Sequence, residues 1–271
     1  MTFICMKLSS DTLFHFSNIG AVTNILSTKR FWPIYNLEIF TSEYYSDHRY
    51  GIPMVCFCDL VFSLTECHRQ EYGTSAIGLK KSWAIANGLN PISYQLEKSV
   101  FTSASESLTQ LLQALTDESA KDQLPEDILN NQIKSPYIRH LLHKFLITIH
   151  GFKKQYQREN INNVITYYDE REWRYIPAMI PDTPEEYENL KRSNAAYNPA
   201  IDETTFNNKS LKEQYQNYVN VNHSLNFTEN DIDIIAVSSE KEKVEIHDKL
   251  KDFYSAIFLK SKIKTYAEIC D

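Results

Sequence analysis

Two carboxylates that stand two residues apart, Glu170 and Glu172, are the strongest candidates for chemistry in this chain. Residues 165–176 predict a strand, in which side chains two apart share a face, so both glutamates point one way and Trp173 points the other. Like charges at that spacing raise the pKa of at least one carboxyl, which suits an acid/base pair or a carboxylate that holds a sugar hydroxyl. The alternative is a solvated strand face whose glutamates and arginines form cross-strand pairs, and periodicity alone favours it.

A second candidate group lies near the start of the chain. Residues 12–16 predict a short strand, and Ser17 is the predicted N-cap of a helix with one apolar stripe. His15 then stands where a strand meets a helix N-terminus, a place where anionic or sugar-bearing ligands dock. The alternative is a histidine at the edge of the core that bonds to the backbone.

The cysteines do not predict a metal site. Cys56-x-Cys58 followed by Cys67-His68 has the ligand types for zinc, but its spacing is not that of a chelating hairpin and no second Cys/His pair follows. Small buried side chains explain these cysteines better, so we expect no metal.

The elements that must position these groups are those of an α+β protein. Residues 53–62 predict a central strand, and two amphipathic helices at about 101–150 predict a helical insertion. A polar tract at about 181–224 is too long for an ordinary connection, and we interpret it as a lid or a partner-binding arm. The tail predicts a strand at 232–237, a helix at 241–258 and a closing strand at 263–266. We expect one domain that spans residues 1–271.

Composition excludes several classes of protein. The 271 residues are 42% hydrophobic and contain 5 scattered cysteines, which suits a large core in a reducing, cytoplasmic compartment. No run reaches the roughly 18 apolar residues of a membrane span, so we expect no membrane partner. The 6 glycines form neither a G-x-G-x-x-G nor a Walker pattern, which excludes Rossmann and P-loop sites.

The charge of the chain permits at most a local site for nucleic acid. A net charge of −7 argues against a broad polyanion-binding surface. One local group interleaves basic and aromatic side chains that could contact single-stranded nucleic acid, although ordinary helix-end charges explain it equally well. Its members are Phe152, Lys153, Lys154, Tyr156 and Arg158.

Four blocks of residues carry a resemblance to a known family. They are Leu13-Phe14-His15-Phe16-Ser17-Asn18, Pro53-Met54-Val55-Cys56-Phe57-Cys58-Asp59, Tyr72-Gly73 through Ile77-Gly78-Leu79 with Trp83, and Tyr168 to Pro177. In this order, they resemble the AbiGi family of bacterial abortive-infection proteins. The resemblance implies a role in phage defence, where that family is labelled the antitoxin half of a two-gene system.

The layout also resembles, more loosely, the ADP-ribosyltransferase fold of DarT-like toxins, which modify nucleic acid. The shared features are an early His-x-Ser, aromatic residues in mid-chain and a late Glu-x-Glu. The resemblance implies a mixed or antiparallel sheet core and NAD as the cofactor. It assigns one ribose of NAD to His15 with Ser17, the nicotinamide to Phe57 or Tyr72, and the nicotinamide ribose to Glu172.

Two functions follow as hypotheses. The first is an NAD-dependent ADP-ribosyltransferase, a toxin or effector of abortive infection, in which Glu172 stabilises an oxocarbenium-like ribose and Glu170 accepts a proton or orients the acceptor. Its acceptor is a macromolecule, with nucleic acid such as RNA favoured over protein, and a cognate antitoxin is the expected partner. The alternative is a non-catalytic antitoxin or regulator that binds a partner protein.

Overall fold

The structure is a computed structural model that describes residues 9–40, 48–96, 99–116, 136–160 and 163–270. The strands are β1 Thr12–Ser17, β2 Arg30–Phe31, β3 Ile34–Phe40, β4 His48–Cys58, β5 Ser75–Lys80, β6 Asn90–Pro91, β7 Ser93–Gln95, β8 Lys153–Gln155, β9 Gln157–Asn160, β10 Asn163–Thr166, β11 Glu172–Tyr175, β12 Ile201–Asp202, β13 Leu225–Asn226, β14 Ile232–Val237 and β15 Ile263–Thr265. The helices are α1 Ile19–Thr28, α2 Glu66–Tyr72, α3 Lys81–Ala86, α4 Val100–Thr116, α5 Pro136–Gly151, α6 Pro184–Ser193, α7 Glu203–Asn207, α8 Lys209–Asn222, α9 Glu240–Leu250, α10 Ala256–Lys262 and α11 Tyr266–Cys270.

One mixed sheet organises these elements. Its strands run in the order β15-β14-β5-β1-β4-β11-β6, and β3 and β12 also pair with β4. The β14–β15 pair is parallel and the other pairs of this sheet are antiparallel. The predicted α+β class with a mixed sheet is therefore confirmed, whereas a similarity to ADP-ribosyltransferases is not.

Strand β1 separates two apolar layers, because successive side chains on a strand point to opposite faces. Leu13 belongs to the main core, which α1, α3, α9 and α10 cover, whereas Phe14 and Phe16 belong to a second cluster on the other face. Burial on both faces explains why Leu13, Phe14 and Phe16, in the middle of β1, are all apolar.

The helix after β1 begins one residue later than the sequence predicts. Asn18, and not Ser17, is the N-cap, and its side chain accepts a hydrogen bond from the Ala21 amide at 2.9 Å. Ser17 is still part of β1 and pairs with Ser75. The sheet register therefore decided between two residues that both cap helices well.

The predicted strand at 165–176 is wrong in its middle. Strand β10 ends at Thr166, residues Tyr167–Glu170 form a turn of 3-10 helix, and β11 begins at Glu172. Between them Arg171 adopts a left-handed conformation with φ 46°, which costs a non-glycine residue about 1–3 kcal/mol. Glu170 and Glu172 are therefore not neighbours on one strand face.

The predicted helical insertion at about 101–150 and the polar tract at about 181–224 are largely helical in their described parts. Helices α4 and α5 pack against each other, and residues 117–135 of the predicted insertion lie outside the described residues. The tract at 181–224 contains α6, α7 and α8, and it packs beside Tyr35 of β3 through Tyr187, Tyr197, Ile201 and Val219. Its role as a lid or arm stays a prediction, as does the single domain.

The tail follows the predicted order with one difference. Strand β14 has the predicted bounds and β15 ends one residue earlier. The predicted helix at 241–258 is two helices, because the chain turns after Leu250 and Ser255 caps a new helix by accepting from the Phe258 amide at 3.2 Å. None of the helices in the described ranges has the length and apolar character to cross a bilayer.

Gly73 follows α2 and lies against the backbone at the end of β1. Its φ is +127°, and a Cβ there would lie 2.4 Å from the carbonyl carbon of Ser17. Gly88 also has a positive φ, +75°, but a Cβ there would meet nothing within 4 Å. Gly88→Ala should cost about 1–2 kcal/mol from backbone strain, and Gly73→Ala about 2–5 kcal/mol because the backbone clash adds to that strain. Equal losses in urea unfolding would contradict the close approach.

Candidate functional site

A cavity of about 250 Å³ lies where β1, β4 and β11 meet α2. Five of the six residues predicted for the site border it: His15, Phe57, Tyr72, Glu170 and Glu172. Strands β1 and β4 pair at a single position, Phe14 with Cys58, and the cavity opens beside that position. The structure therefore brings together residues that are separated by more than 150 positions in the chain.

Glu172 is buried in the cavity wall and doubly ion-paired. Arg174 Nε lies 2.6 Å from its Oε1, Arg174 Nη2 lies 3.2 Å from its Oε2, and Lys154 Nζ lies 3.0 Å from Oε2. Burial alone raises the pKa of this carboxyl, but the two cations outweigh burial and hold the pKa at about 2. Glu172 is therefore a fixed negative charge at neutral pH.

Glu170 reaches the same cavity through Lys154. Lys154 Nζ lies 2.6 Å from Glu170 Oε2, and the Tyr72 hydroxyl lies 3.4 Å from Oε1. Although burial lowers the pKa of Lys154, Glu172 and Glu170 together raise it well above its ordinary value. The expectation that two like charges raise the pKa of one carboxyl does not hold for Glu172, because a lysine stands between the pair.

Arg174 joins the cavity to the neighbouring strands. Its side chain is 1% exposed, and its guanidinium also bonds to the Gly151 carbonyl at 2.7 Å and to Glu38 Oε1 at 2.9 Å. Burial raises the pKa of Glu38, although Arg174 opposes that effect. The cluster of Glu38, Lys154, Glu170, Glu172 and Arg174, the cavity ion cluster, has three carboxylates and two cations.

His15 is held by the backbone rather than by the carboxylates. Its Nδ1 lies 2.9 Å from the Cys56 carbonyl oxygen, so Nδ1 carries the proton and Nε2 is an acceptor. Burial lowers the pKa of the imidazole, which keeps it neutral, and its ring packs 5.1 Å from Phe31 and 5.6 Å from Phe57. This is the backbone-bonded histidine that the sequence left as the alternative.

The two aromatic residues predicted to contact nicotinamide differ in exposure. Phe57 is 3% exposed and pairs with Trp173, so its ring lies in the main core and not on the Glu172 face. Tyr72, at the end of α2, is 46% exposed and lies beside Glu170. Burial of its hydroxyl raises the pKa of Tyr72. Of the two, Tyr72 has the ring that a ligand could contact.

The remaining predictions concern Ser17, Trp173 and a metal site. Ser17 is not among the residues that border the cavity. Trp173 packs against the main core on the face opposite Glu172, as predicted. In the described part of the chain, no three His, Cys, Asp or Glu side chains are grouped so that they could hold a metal ion.

Sequence reasoning missed the other four acidic or basic residues that border the cavity: Glu38, His68, Lys154 and Arg174. Arg174 carried a usable signal, since it stands two residues after Glu172 on one strand. Lys154 was noticed only as part of a basic group. Glu38 carried no signal, and His68 was considered only as a zinc ligand, because only the pairing of β3 with β4 and the packing of α2 on β1 place them at the cavity.

Known proteins similar to this chain belong to phage defence. The family model described as "Putative abortive phage resistance protein AbiGi, antitoxin" matches residues 30–238. "Abortive phage resistance protein AbiGi" of Lactococcus lactis subsp. cremoris is 27% identical over 139 residues, which cover 48% of this chain and 53% of that protein. The chain thus spans about half the length of this curated relative. No solved structure matches the chain significantly. Because the family model covers well over half of the 271 residues, this chain belongs to the AbiGi family.

Proposed function

We propose that this chain acts in abortive phage infection as the antitoxin that restrains a partner toxin. The observation that carries the proposal is the AbiGi family model, which is described as an antitoxin and covers residues 30–238. That range includes the cavity ion cluster and the helical tract at 181–224. The activity therefore belongs to a partner protein, which this chain binds. A cytoplasmic location stays a prediction from the scattered cysteines.

The electrostatics of the cavity favour a structural role for its glutamates. Arg174 and Lys154 already hold both carboxylate oxygens of Glu172 in ion pairs, so a cationic substrate would have to compete with them. A carboxyl with a pKa of about 2 does not exchange protons near neutral pH. The cavity ion cluster instead joins β3, β8 and β11, which is what a binding scaffold requires.

A second candidate function, NAD-dependent ADP-ribosyl transfer, is favoured by one observation. Five residues that the ADP-ribosyltransferase resemblance singled out border one cavity. Its volume of about 250 Å³ is below the roughly 300–1,000 Å³ of ligand pockets, so the residues fit the nicotinamide–ribose end and not the whole dinucleotide.

The ADP-ribosyltransferase resemblance implies a role for each of these residues in the second candidate. NAD would supply an ADP-ribosyl group whose bond to nicotinamide breaks with positive charge on the ribose. Tyr72 would contact the nicotinamide, and His15 Nε2 would accept a hydrogen bond from a ribose hydroxyl. Glu172 would stabilise the developing charge, and Lys154 would keep Glu170 beside it. The favoured acceptor is nucleic acid such as RNA.

One set of proteins tests both candidates: the wild type, Glu172→Gln, and Ser17→Ala, whose side chain does not border the cavity. As an antitoxin, each should restore growth to cells that express the toxin encoded beside it, provided that circular dichroism shows the variant folded. Failure of the wild type to restore growth would refute the antitoxin proposal.

The same proteins, incubated with labelled NAD and phage-infected lysate, test the second candidate. Transfer predicts label in RNA, DNA or protein with the wild type and Ser17→Ala. Glu172→Gln should lower that label about 100-fold or more, the usual effect of removing one group that stabilises transition-state charge. Absence of label with the wild type, or equal label with Glu172→Gln, would refute transfer by this cavity.

A further inference from the structure

A second cavity, of about 290 Å³, lies beside the start of β11 and shares only Glu172 with the cavity ion cluster. We refer to it as the Arg171 pocket. Its walls include Asp59 at the end of β4, Tyr94 of β7, and Tyr168, Arg171 and Trp173. None of these residues was predicted to bind a ligand.

Arg171 brings to this pocket a guanidinium that no described residue pairs with. Its guanidinium has no hydrogen bond and no ion pair with any described residue, and its Nε is buried without a partner. The nearby acid, Asp59, is neutralised by Lys81, whose Nζ lies 2.8 Å from Asp59 Oδ1. Glu172 also borders the pocket, and its carboxylate is ion-paired with Arg174 and Lys154. The Arg171 guanidinium therefore has no direct partner among the described residues and can bond to an anion.

The backbone holds Arg171 in place for this purpose. Its φ of 46° is left-handed, its amide donates to the Tyr168 carbonyl at 3.3 Å, and its carbonyl accepts from the Asp59 amide at 3.0 Å. Strained non-glycine residues persist only where the surrounding structure holds them, and they cluster at functional sites. The guanidinium is a planar fork that matches the oxygens of a phosphate.

Aromatic side chains complete the pocket. Tyr168 is 50% exposed. Its ring and that of Tyr94 pack edge to face, with their centroids 5.4 Å apart. Trp173 closes the opposite wall, where Lys81 Nζ lies 5.4 Å from its ring centroid. The ring of Tyr168 also packs 5.7 Å from that of Tyr156, which leaves its exposed part beside the unpaired arginine. Aromatic rings beside basic groups are the combination on which a nucleobase stacks while its phosphate is bound.

We propose that the Arg171 pocket binds a nucleoside monophosphate unit, with the phosphate on Arg171 and the base against Tyr168. The unit is either a free nucleotide or one residue of a single-stranded nucleic acid, since both present the same chemistry. This site does not depend on the antitoxin or transferase proposals, because Arg171 and Tyr168, which would bind the nucleotide, belong neither to the cavity ion cluster nor to a partner toxin. The pocket volume is close to the lower limit of about 300 Å³ for small-ligand sites.

Titration calorimetry on the full chain tests the proposal with adenosine 5′-monophosphate, adenosine, inorganic phosphate and a single-stranded oligonucleotide. The wild type should bind the monophosphate with a dissociation constant below about 1 mM, and adenosine and phosphate each about tenfold more weakly. Arg171→Gln and Tyr168→Ala should each weaken binding about tenfold. Arg49→Gln, which removes an equal charge from the surface at a site paired with Glu203, should bind like the wild type.

The two nucleotide probes distinguish a free nucleotide from single-stranded nucleic acid as the ligand. Tighter binding of the oligonucleotide than of the monophosphate supports single-stranded nucleic acid, and the reverse supports a free nucleotide. The proposal is overturned if the wild type does not bind the monophosphate, or if Arg171→Gln binds it equally well. Binding of a glutamate-rich peptide in place of both nucleotide probes would also overturn it and would assign the pocket to a protein partner.

Discussion

Arg174→Met should lower the free energy of unfolding by about 3–5 kcal/mol, the usual loss when one partner of a buried ion pair is removed. The substitution keeps most of the side-chain volume but leaves Glu172 and Glu38 in the cavity wall without their shared cation. It also leaves the Gly151 carbonyl without the bond that Arg174 Nη1 makes at 2.7 Å. Urea unfolding followed by circular dichroism measures the loss.

Two further variants separate charge from geometry. Arg174→Lys keeps the positive charge but cannot bond to Glu172, Glu38 and Gly151 at once, so an intermediate loss is expected. Arg49→Met breaks an exposed pair with Glu203, in which both side chains are more than 40% exposed, and should cost less than about 1 kcal/mol. If Arg174→Met costs no more than Arg49→Met, the cavity ion cluster does not hold the strands together.

The free energy of unfolding should decrease at acidic pH, because Glu172 becomes protonated. The pKa of its carboxyl is about 2 in the folded chain against an ordinary 4.5, a difference that corresponds to about 3 kcal/mol. Because the folded pKa is the lower one, this stabilisation is complete above pH 4.5 and is lost as the pH falls from 4.5 towards 2. Glu38 acts in the opposite sense, since its pKa is raised, but its effect lies above pH 4.5.

Glu172→Gln isolates this contribution from the other carboxylates. At pH 7 the variant should be less stable than the wild type by about 3 kcal/mol, because it resembles the protonated side chain. More than half of the difference should disappear by pH 3, and the two curves should converge near pH 2. The measurement is the unfolding free energy in urea across this range. A difference that does not change with pH would contradict a lowered pKa for Glu172.

Local patterns in the sequence were sufficient for many of the elements. Strand β1, with its apolar Leu13, Phe14 and Phe16, and the strand Ile232–Val237 follow from residue types that suit a buried sheet, and the structure confirms both strands. The α+β class and the burial of Trp173 opposite Glu172 also follow from period-two alternation. Membership of the AbiGi family was evident from blocks of residues and is confirmed by the family model.

Local patterns misplaced the boundaries that long-range contacts control. Ser17 and Asn18 are both good N-caps, and only the pairing of Ser17 with Ser75 makes Asn18 the cap. The apparent strand at 165–176 is divided because Arg171 adopts a left-handed conformation, which alternating charges do not reveal. In the tail, the break after Leu250 depends on Ser255, which caps a second helix.

The sequence by itself determined which residue types are present for a site and singled out Glu170 and Glu172, and tertiary structure decided what these groups can do. Periodicity predicts two carboxylates that repel each other. The fold places Lys154, from β8, between them and Arg174 beside Glu172, so a pKa expected to rise is lowered instead. Electrostatics depends on distances through space, and residues that are far apart in the chain set those distances. The same reason explains why Arg171, without a charged partner, is evident only in the folded chain.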